Sequence, residues 1–146
     1  MKKLFVIIPS LFIAFILNAQ SSRVPEIVKE TFENQYPKAD VQEYDDLLVK
    51  VVVKFTLDSA EMKATYTNKG VWKGTDKDIS YSAVPTEVKD GLSKSKYAEW
   101  TVRESTQMYL PGGANQYRLR VKKNDLQLKY LFFNTSGRLL RTSITL

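Results

Sequence analysis

The side chains that most often carry out enzymatic chemistry are missing from this sequence. It contains no histidine and no cysteine, so the commonest general base, thiolate nucleophiles and the usual zinc, copper and haem ligands are unavailable. A Ser–His–Asp triad is therefore impossible, and no glycine-rich phosphate-binding motif occurs. Catalysis by carboxylates alone, as in glycosidases, is the remaining enzymatic possibility. Its candidates, most of them expected in turns, are Asp45, Asp46, Asp58, Glu61, Asp76 and Asp78.

The spacing of these acids does not favour a reactive or metal-binding site. Asp76 and Asp78 could touch a calcium ion, but two carboxylates without a full ligand loop do not make a calcium site. We therefore predict that the protein is not an enzyme, has no catalytic residue, and holds no metal or cofactor.

The two tryptophans are the other residues whose side chains suit ligand binding. Trp72 and Trp100 could stack on a glycan or a peptide, and the alternative is that each packs in the core or covers the start of a strand. A stacking role requires a concave pocket lined by an indole. A packing role leaves both indoles buried.

The elements that position these residues follow from a near-repeat in the sequence. The segment VPEIVKETF at Val24–Phe32 returns as VPTEVKDGL at Val84–Leu92. Apolar residues recur every four positions in both segments, which predicts one apolar stripe on each of two helices. Proline suits the first turn of a helix. Pro37 is expected to end the first helix, and Gly91 weakens the second.

After each helix the apolar period changes from four to two, which predicts antiparallel strands joined by Asn, Asp, Ser and Gly turns. We expect an α+β domain: a tandem repeat of a helix plus a four-stranded antiparallel sheet, residues 24–81 and 84–146, with both helices on one face of a combined sheet. Chance similarity between two amphipathic helices is the alternative. The expected strands are Val41–Tyr44, Leu47–Leu57, Glu61–Thr67, one from Val71, Glu99–Leu110, Tyr117–Lys123, Leu126–Phe133 and Arg138–Ile144.

The sheet face away from the helices, here called the open face, can contact water. The alternation predicts core positions at Val49, Val51, Val53, Phe55, Leu57, Met62, Ala64, Tyr66, Trp100, Val102, Met108, Tyr117, Leu119 and Val121. It predicts open-face cations at Lys50, Lys54, Lys63, Arg103, Arg118, Arg120, Lys122 and Lys129, with Leu131 and Phe133 beside Lys129 and few acids beyond Glu43 and Glu99.

We interpret this basic face as a candidate docking surface for an acidic protein, with the hairpin Met108–Tyr117 at its rim. The alternative is a solvated face whose cations keep the sheet soluble and monomeric. The predicted partner-binding residues are Lys50, Lys54, Arg103, Tyr109, Arg118, Arg120 and Lys122.

The first residues have the order of a secretory signal peptide. Lys2 and Lys3 precede an apolar run, and Ala19 stands at the expected cleavage position. The run is too short for a comfortable membrane span. Cleavage would leave 20 basic residues, which are the 22 of the whole chain without the two lysines, against 16 acidic ones. This mild excess, a net charge of +4, does not indicate nucleic-acid binding. A single domain from residue 20 to 146 is expected, periplasmic or secreted and monomeric.

The segments VPEIVKETFENQYPKADV, TNKGVWK, AVPTEVKDGL and FFNTSGRLL together resemble the PepSY-like periplasmic proteins of Bacteroidetes. The resemblance covers roughly Val24–Arg141 and implies the fold of the secreted β-lactamase inhibitory protein. That inhibitor uses disulfides, whereas this chain has no cysteine. The resemblance therefore implies the fold and a generic restraint of some hydrolase. It supplies no inhibitory contact residue.

Two functions remain open from the sequence. The first is a secreted, non-enzymatic binding module that presents its open face to a protein partner. Its expected effect on that partner is to inhibit or restrain a hydrolase. The second is a small-ligand or cell-envelope binder that uses Trp72 or Trp100 to hold a glycan, lipid headgroup or peptide.

Overall fold

The structure, a computed structural model, describes residues 24–144. The predicted signal peptide and its cleavage point lie outside the described residues. Within these residues, two α-helices and eight strands follow one another in the order of one α-helix and four strands, twice. They are α1 (Glu26–Gln35), β1 (Asp40–Asp46), β2 (Lys50–Leu57), β3 (Ala60–Thr67), β4 (Trp72–Ile79), α2 (Thr86–Ser93), β5 (Thr101–Tyr109), β6 (Asn115–Asn124), β7 (Gln127–Asn134) and β8 (Leu139–Ile144).

The eight strands form one antiparallel sheet in which every strand pairs with the next one along the chain. The pairing of β4 with β5 joins residues 24–81, the first half, to residues 84–144, the second half. Six of the seven connections between these strands are short hairpins, whereas residues 80–100, between β4 and β5, contain α2. The predicted α+β architecture is confirmed.

Both helices pack on the same side of the sheet, which we call the helix face. The register shows this, because directly paired residues in adjacent strands point to one side. Ala64 pairs with Thr75, which pairs with Tyr109, while Gln107 on the same side of β5 pairs with Tyr117. Ala64 belongs to the core under α1 and Tyr117 to the core under α2.

Each helix covers a separate hydrophobic core. Val28 and Phe32 of α1 pack on β2 and β3, and Val88 and Leu92 of α2 pack on β6 and β7. All four are buried, as the four-residue spacing of the near-repeat predicts.

A glycine in the last hairpin of each half lies directly against the helix of that half. A methyl group on Gly70 would contact Ile27 and Thr31 of α1, and one on Gly137 would overlap the carbonyl oxygen of Glu87 in α2. Both glycines have positive φ, +77° and +79°, a conformation that side chains disfavour. The two hairpins therefore contact their helices at positions 27 and 87, which are 60 residues apart, as in the near-repeat.

Five expected side-chain placements are wrong. Val49 is 76% exposed because the chain turns at residues 47–49, where Leu48 has a φ of 67°, and β2 begins only at Lys50. Met108 pairs with Asp76 and lies on the open face. Lys129 pairs with buried Val121, so it lies on the helix face, and Leu131 and Phe133 are core residues instead of open-face ones.

Candidate functional site

The structure brings five of the seven predicted partner-binding residues onto the open face. They are Lys50 and Lys54 in β2 and Arg118, Arg120 and Lys122 in β6, all alternating with buried helix-face residues.

The other two predicted residues lie elsewhere. Arg103 is exposed at a β-bulge between Val102 and Glu104, where the regular alternation is interrupted. Tyr109 pairs with buried Thr75 and lies on the helix face, so it does not share a surface with the arginines.

The expectation that few acids share the open face is wrong. Asp76 and Asp78 lie in the middle of β4 instead of in a turn. Asp76 forms an ion pair with Arg118 at 3.0 Å, and Asp78 lies 3.7 Å from Lys63. Arg120 pairs with Glu104, and Lys122 pairs with Asp125 at 2.5 Å. The open face is therefore an array of opposite charges, not a purely basic patch.

The first half of this array is centred on Lys54, which contacts both Glu43 and Asp45 at 2.8 Å. The hydrogen bond from Lys54 lowers the pKa of the Asp45 carboxyl, and the bonds to Asp45 and Glu43 raise the pKa of Lys54. Lys54 is therefore paired with two acids of its own chain.

The second half of the open face combines arginines with aromatic rings. The guanidinium of Arg118 lies 5.5 Å from the ring centre of Tyr130, and that of Arg141 lies 3.4 Å from the ring centre of Phe132. Phe132 lies in β7, directly opposite Arg118 of the neighbouring strand β6 and Arg141 of the neighbouring strand β8. We call these four residues the arginine–aromatic cluster. Arg141 forms no ion pair with any acid in the described part of the chain.

Both tryptophans are partly buried, and each packs against a core, Trp72 against the one under α1 and Trp100 against the one under α2. Each also lines a cavity. Trp72 lines a cavity of about 370 Å³ on the helix face, together with Tyr36 and Tyr109. Trp100 lines a wider depression of about 510 Å³ beside Lys96 and Ile144. Trp100 also packs edge-on against Tyr97, with 5.2 Å between ring centres.

The carboxylates are distributed as charge partners along the sheet. Within residues 24–144, no group of three or more acidic side chains is arranged to hold a metal ion. The helices described here are too short and too polar to cross a bilayer.

The sequence contained a signal for part of what was missed. Thr75-Asp76-Lys77-Asp78-Ile79 alternates strictly, which extends β4 and places both aspartates on one face. The aromatic members of the cluster had no such signal, because the run KYLFF reads equally well with either parity.

The family comparison matches most of the chain. The model of the family described as putative beta-lactamase-inhibitor-like, PepSY-like matches residues 17–56 and 49–141. A comparison with curated proteins found no match.

Solved structures with a similar fold include three proteins from Bacteroides species. A DUF2874 family protein from Bacteroides ovatus is 24% identical with a TM-score of 0.75, over 82% of this chain and 86% of that one. A BLIP-like protein from Bacteroides fragilis is 20% identical with a TM-score of 0.73, over 82% and 86%. A protein from Bacteroides eggerthii described as periplasmic is 19% identical with a TM-score of 0.72, over 83% and 88%. With the family match covering well over half of its length, the chain belongs to the β-lactamase-inhibitor-like, PepSY-like family.

Proposed function

We propose that this protein is a non-enzymatic binding module that docks a protein partner on its open face. The observation that carries the proposal is the arginine–aromatic cluster. Arginine and aromatic residues are the types most enriched in the energetic centres of protein interfaces. Here they stand together on a sheet face to which neither α-helix contributes.

The charges favour a partner with an acidic residue opposite Arg141. Arg118, Arg120 and Lys122 form ion pairs with acids of this chain, whereas Arg141 lies over the aromatic ring of Phe132. A partner carboxylate could therefore pair with Arg141 without displacing an acid of this chain. Complementary charge of this kind contributes mainly to specificity and association rate.

The compartment and the class of partner are inferred from the N-terminal sequence and from the similar proteins. The N-terminal sequence and the similarity to a Bacteroides eggerthii protein described as periplasmic favour a location in the periplasm or outside the cell. The inhibitor-like description of the family favours a hydrolase as the partner, with the open face placed against it. No contact with a hydrolase is carried over from any relative.

We further infer that residues 24–81 and 84–146 are two copies of one repeat. The support is positional: the hairpin glycine of each half contacts its helix at equivalent positions, Ile27 and Glu87. The next contact in α1 is Thr31, and its equivalent in α2 is Gly91, which lies against Gly137.

The test uses the absence of cysteine from the chain, so that a single introduced thiol marks one surface. A thiol-reactive crosslinker is attached to Ser143→Cys on the open face or to Ser93→Cys, an exposed position of α2. Both baits, produced as residues 20–146, are incubated with envelope extract of the source cells. We expect one protein to crosslink to the first bait and not to the second.

Affinity then tests the cluster itself with the purified partner. Arg141→Ala should weaken binding by about tenfold or more, as loss of an interface arginine often does. Arg138→Ala, which removes an exposed arginine from the neighbouring turn, is the matched control and should bind like the wild type. Capture at both positions alike, capture at neither, or unchanged affinity of Arg141→Ala would overturn the proposal.

A further inference from the structure

A cavity lies on the helix face at the seam between the two halves. α1 covers the core of the first half and α2 that of the second, which leaves the helix-face residues of β4 and β5 between them. Three of these residues, Trp72, Lys77 and Tyr109, line the cavity of about 370 Å³. Sites for small molecules in proteins span about 300–1,000 Å³.

The aromatic walls of this cavity are held in place by a buried hydroxyl group. The indole N–H of Trp72 donates a hydrogen bond to Oγ1 of Thr75 at 3.0 Å, and the hydroxyl of Tyr36 lies 2.7 Å from the same atom. Thr75 is completely buried. Both rings are therefore oriented before any ligand arrives, which lowers the entropic cost of binding.

The remaining lining is apolar with one cation. Leu57 and Met62 complete the apolar surface, and Lys77 is partly buried among them. Lys77 makes no ion pair within residues 24–144. The acid on the lining, Asp58, is exposed in the β2–β3 turn, where water screens its charge.

We propose that this cavity is a binding site for a small aromatic carboxylate. The ring stacks on Trp72, and the carboxylate accepts a charge-assisted hydrogen bond from Nζ of Lys77. The site is on the opposite side of the sheet from the arginine–aromatic cluster, so it is independent of the protein-docking function. The depression at Trp100 is less suited to this role, because its apolar residues Leu126 and Ile144 are 95% and 69% exposed.

The two indole N–H signals in a ¹H–¹⁵N NMR spectrum provide the test, and a Trp100→Phe variant assigns them. The probe is 2-naphthoate, and its neutral isostere is 2-naphthamide. We expect 2-naphthoate to shift the Trp72 signal at millimolar concentration or below and to leave the Trp100 signal in place. The amide should bind about tenfold more weakly, since it lacks the charge.

Lys77→Met removes the charge and keeps the length of the side chain. It should weaken 2-naphthoate binding by about tenfold, while Lys73→Met, an exposed lysine of the same strand, should not. Dispersion of both indole signals shows that each variant is folded. A Trp72 signal that does not move, a shift confined to Trp100, or equal binding by Lys77→Met would overturn the proposal.

Discussion

The two halves of the molecule make the same helix–hairpin contact with different residues. In the first half Gly70 lies against Thr31, whose hydroxyl donates a 2.7 Å hydrogen bond to the carbonyl oxygen of Ile27. In the second half Gly137 lies against Gly91, and no side chain separates the two backbones. Gly91 therefore allows the helix and the hairpin to approach more closely. This contact explains why a glycine stands inside α2, although glycine destabilises a helix by about 1 kcal/mol.

The side chains that the two helices insert into their cores also differ. Phe32 of α1 contacts four aromatic rings, those of Tyr36, Tyr44, Phe55 and Tyr66, with ring centres 4.9–6.4 Å away. Its equivalent in α2 is Leu92, which packs in a core made largely of aliphatic residues. Each core buries three aromatic rings, so the difference between the halves lies in the residue that the helix inserts, a phenylalanine in α1 and a leucine in α2.

The largest expected effect comes from removing the centre of the aromatic core. Phe32→Ala should lower the free energy of unfolding by about 3–5 kcal/mol, and Leu92→Ala by less, about 2–4 kcal/mol. The difference arises because Phe32 loses edge-to-face contacts as well as buried area. Urea unfolding followed by circular dichroism measures both values.

Phe32→Ala can unfold a domain whose total stability is about 5–15 kcal/mol. Phe32→Leu keeps this test informative, because it places the residue of the second half into the first. We expect a loss of about 1–2 kcal/mol, since leucine fills part of the space of the ring. Equal or greater stability of Phe32→Leu would show that the aromatic contacts do not distinguish the halves.

The next effect concerns the close approach in the second half. Helix propensity alone predicts that Gly91→Ala gains about 1 kcal/mol. The new methyl group would overlap the carbonyl oxygen of Gly137, so we expect a loss of about 1–3 kcal/mol instead. Thr31→Ala, at the equivalent position of α1, should change stability by about 0.5 kcal/mol or less. Thermal unfolding of both variants gives the sign, and a stabilised Gly91→Ala would contradict the close contact.

The smallest expected effect is a loss of stability at alkaline pH, which arises from buried tyrosines of the first half and is absent at neutral pH. Burial raises the pKa of Tyr66, whose hydroxyl donates a 2.9 Å hydrogen bond to Gln35, and burial also raises the pKa of Tyr36. The unfolded chain therefore loses these protons first, near the ordinary tyrosine pKa of about 10. Above that pH the folded state binds more protons, so the free energy of unfolding falls as pH rises.

Urea titrations at pH 8, 10 and 11 measure this alkaline loss. Tyr66→Phe should be less steeply destabilised between pH 8 and 11 than the wild type, because the variant lacks one of the hydroxyl groups whose pKa burial raises. Each protein is compared with its own value at pH 8, so that the lost hydrogen bond to Gln35 does not enter. Parallel pH profiles for the two proteins would argue against the buried phenol as the cause.

Much of the fold was predictable because its local patterns are strong. The four-residue spacing of Val28 with Phe32, and of Val88 with Leu92, identified both buried helix stripes. The alternation in β6 correctly placed Arg118, Arg120 and Lys122 opposite buried residues. The candidate site was less predictable. Its acids come from strands that are distant in sequence, and the register of those strands is not a local property.

The sequence by itself determined the two helices, the eight alternating strands and the lack of histidine and cysteine chemistry, since these depend on residue type and periodicity alone. Only the tertiary structure decided that Arg118 meets Asp76, that Lys129 lies on the helix face, and that Trp72 borders a cavity. The physical reason is register. A shift of one residue between paired strands moves every side chain to the other face, so the composition of each face exists only once the strands have paired.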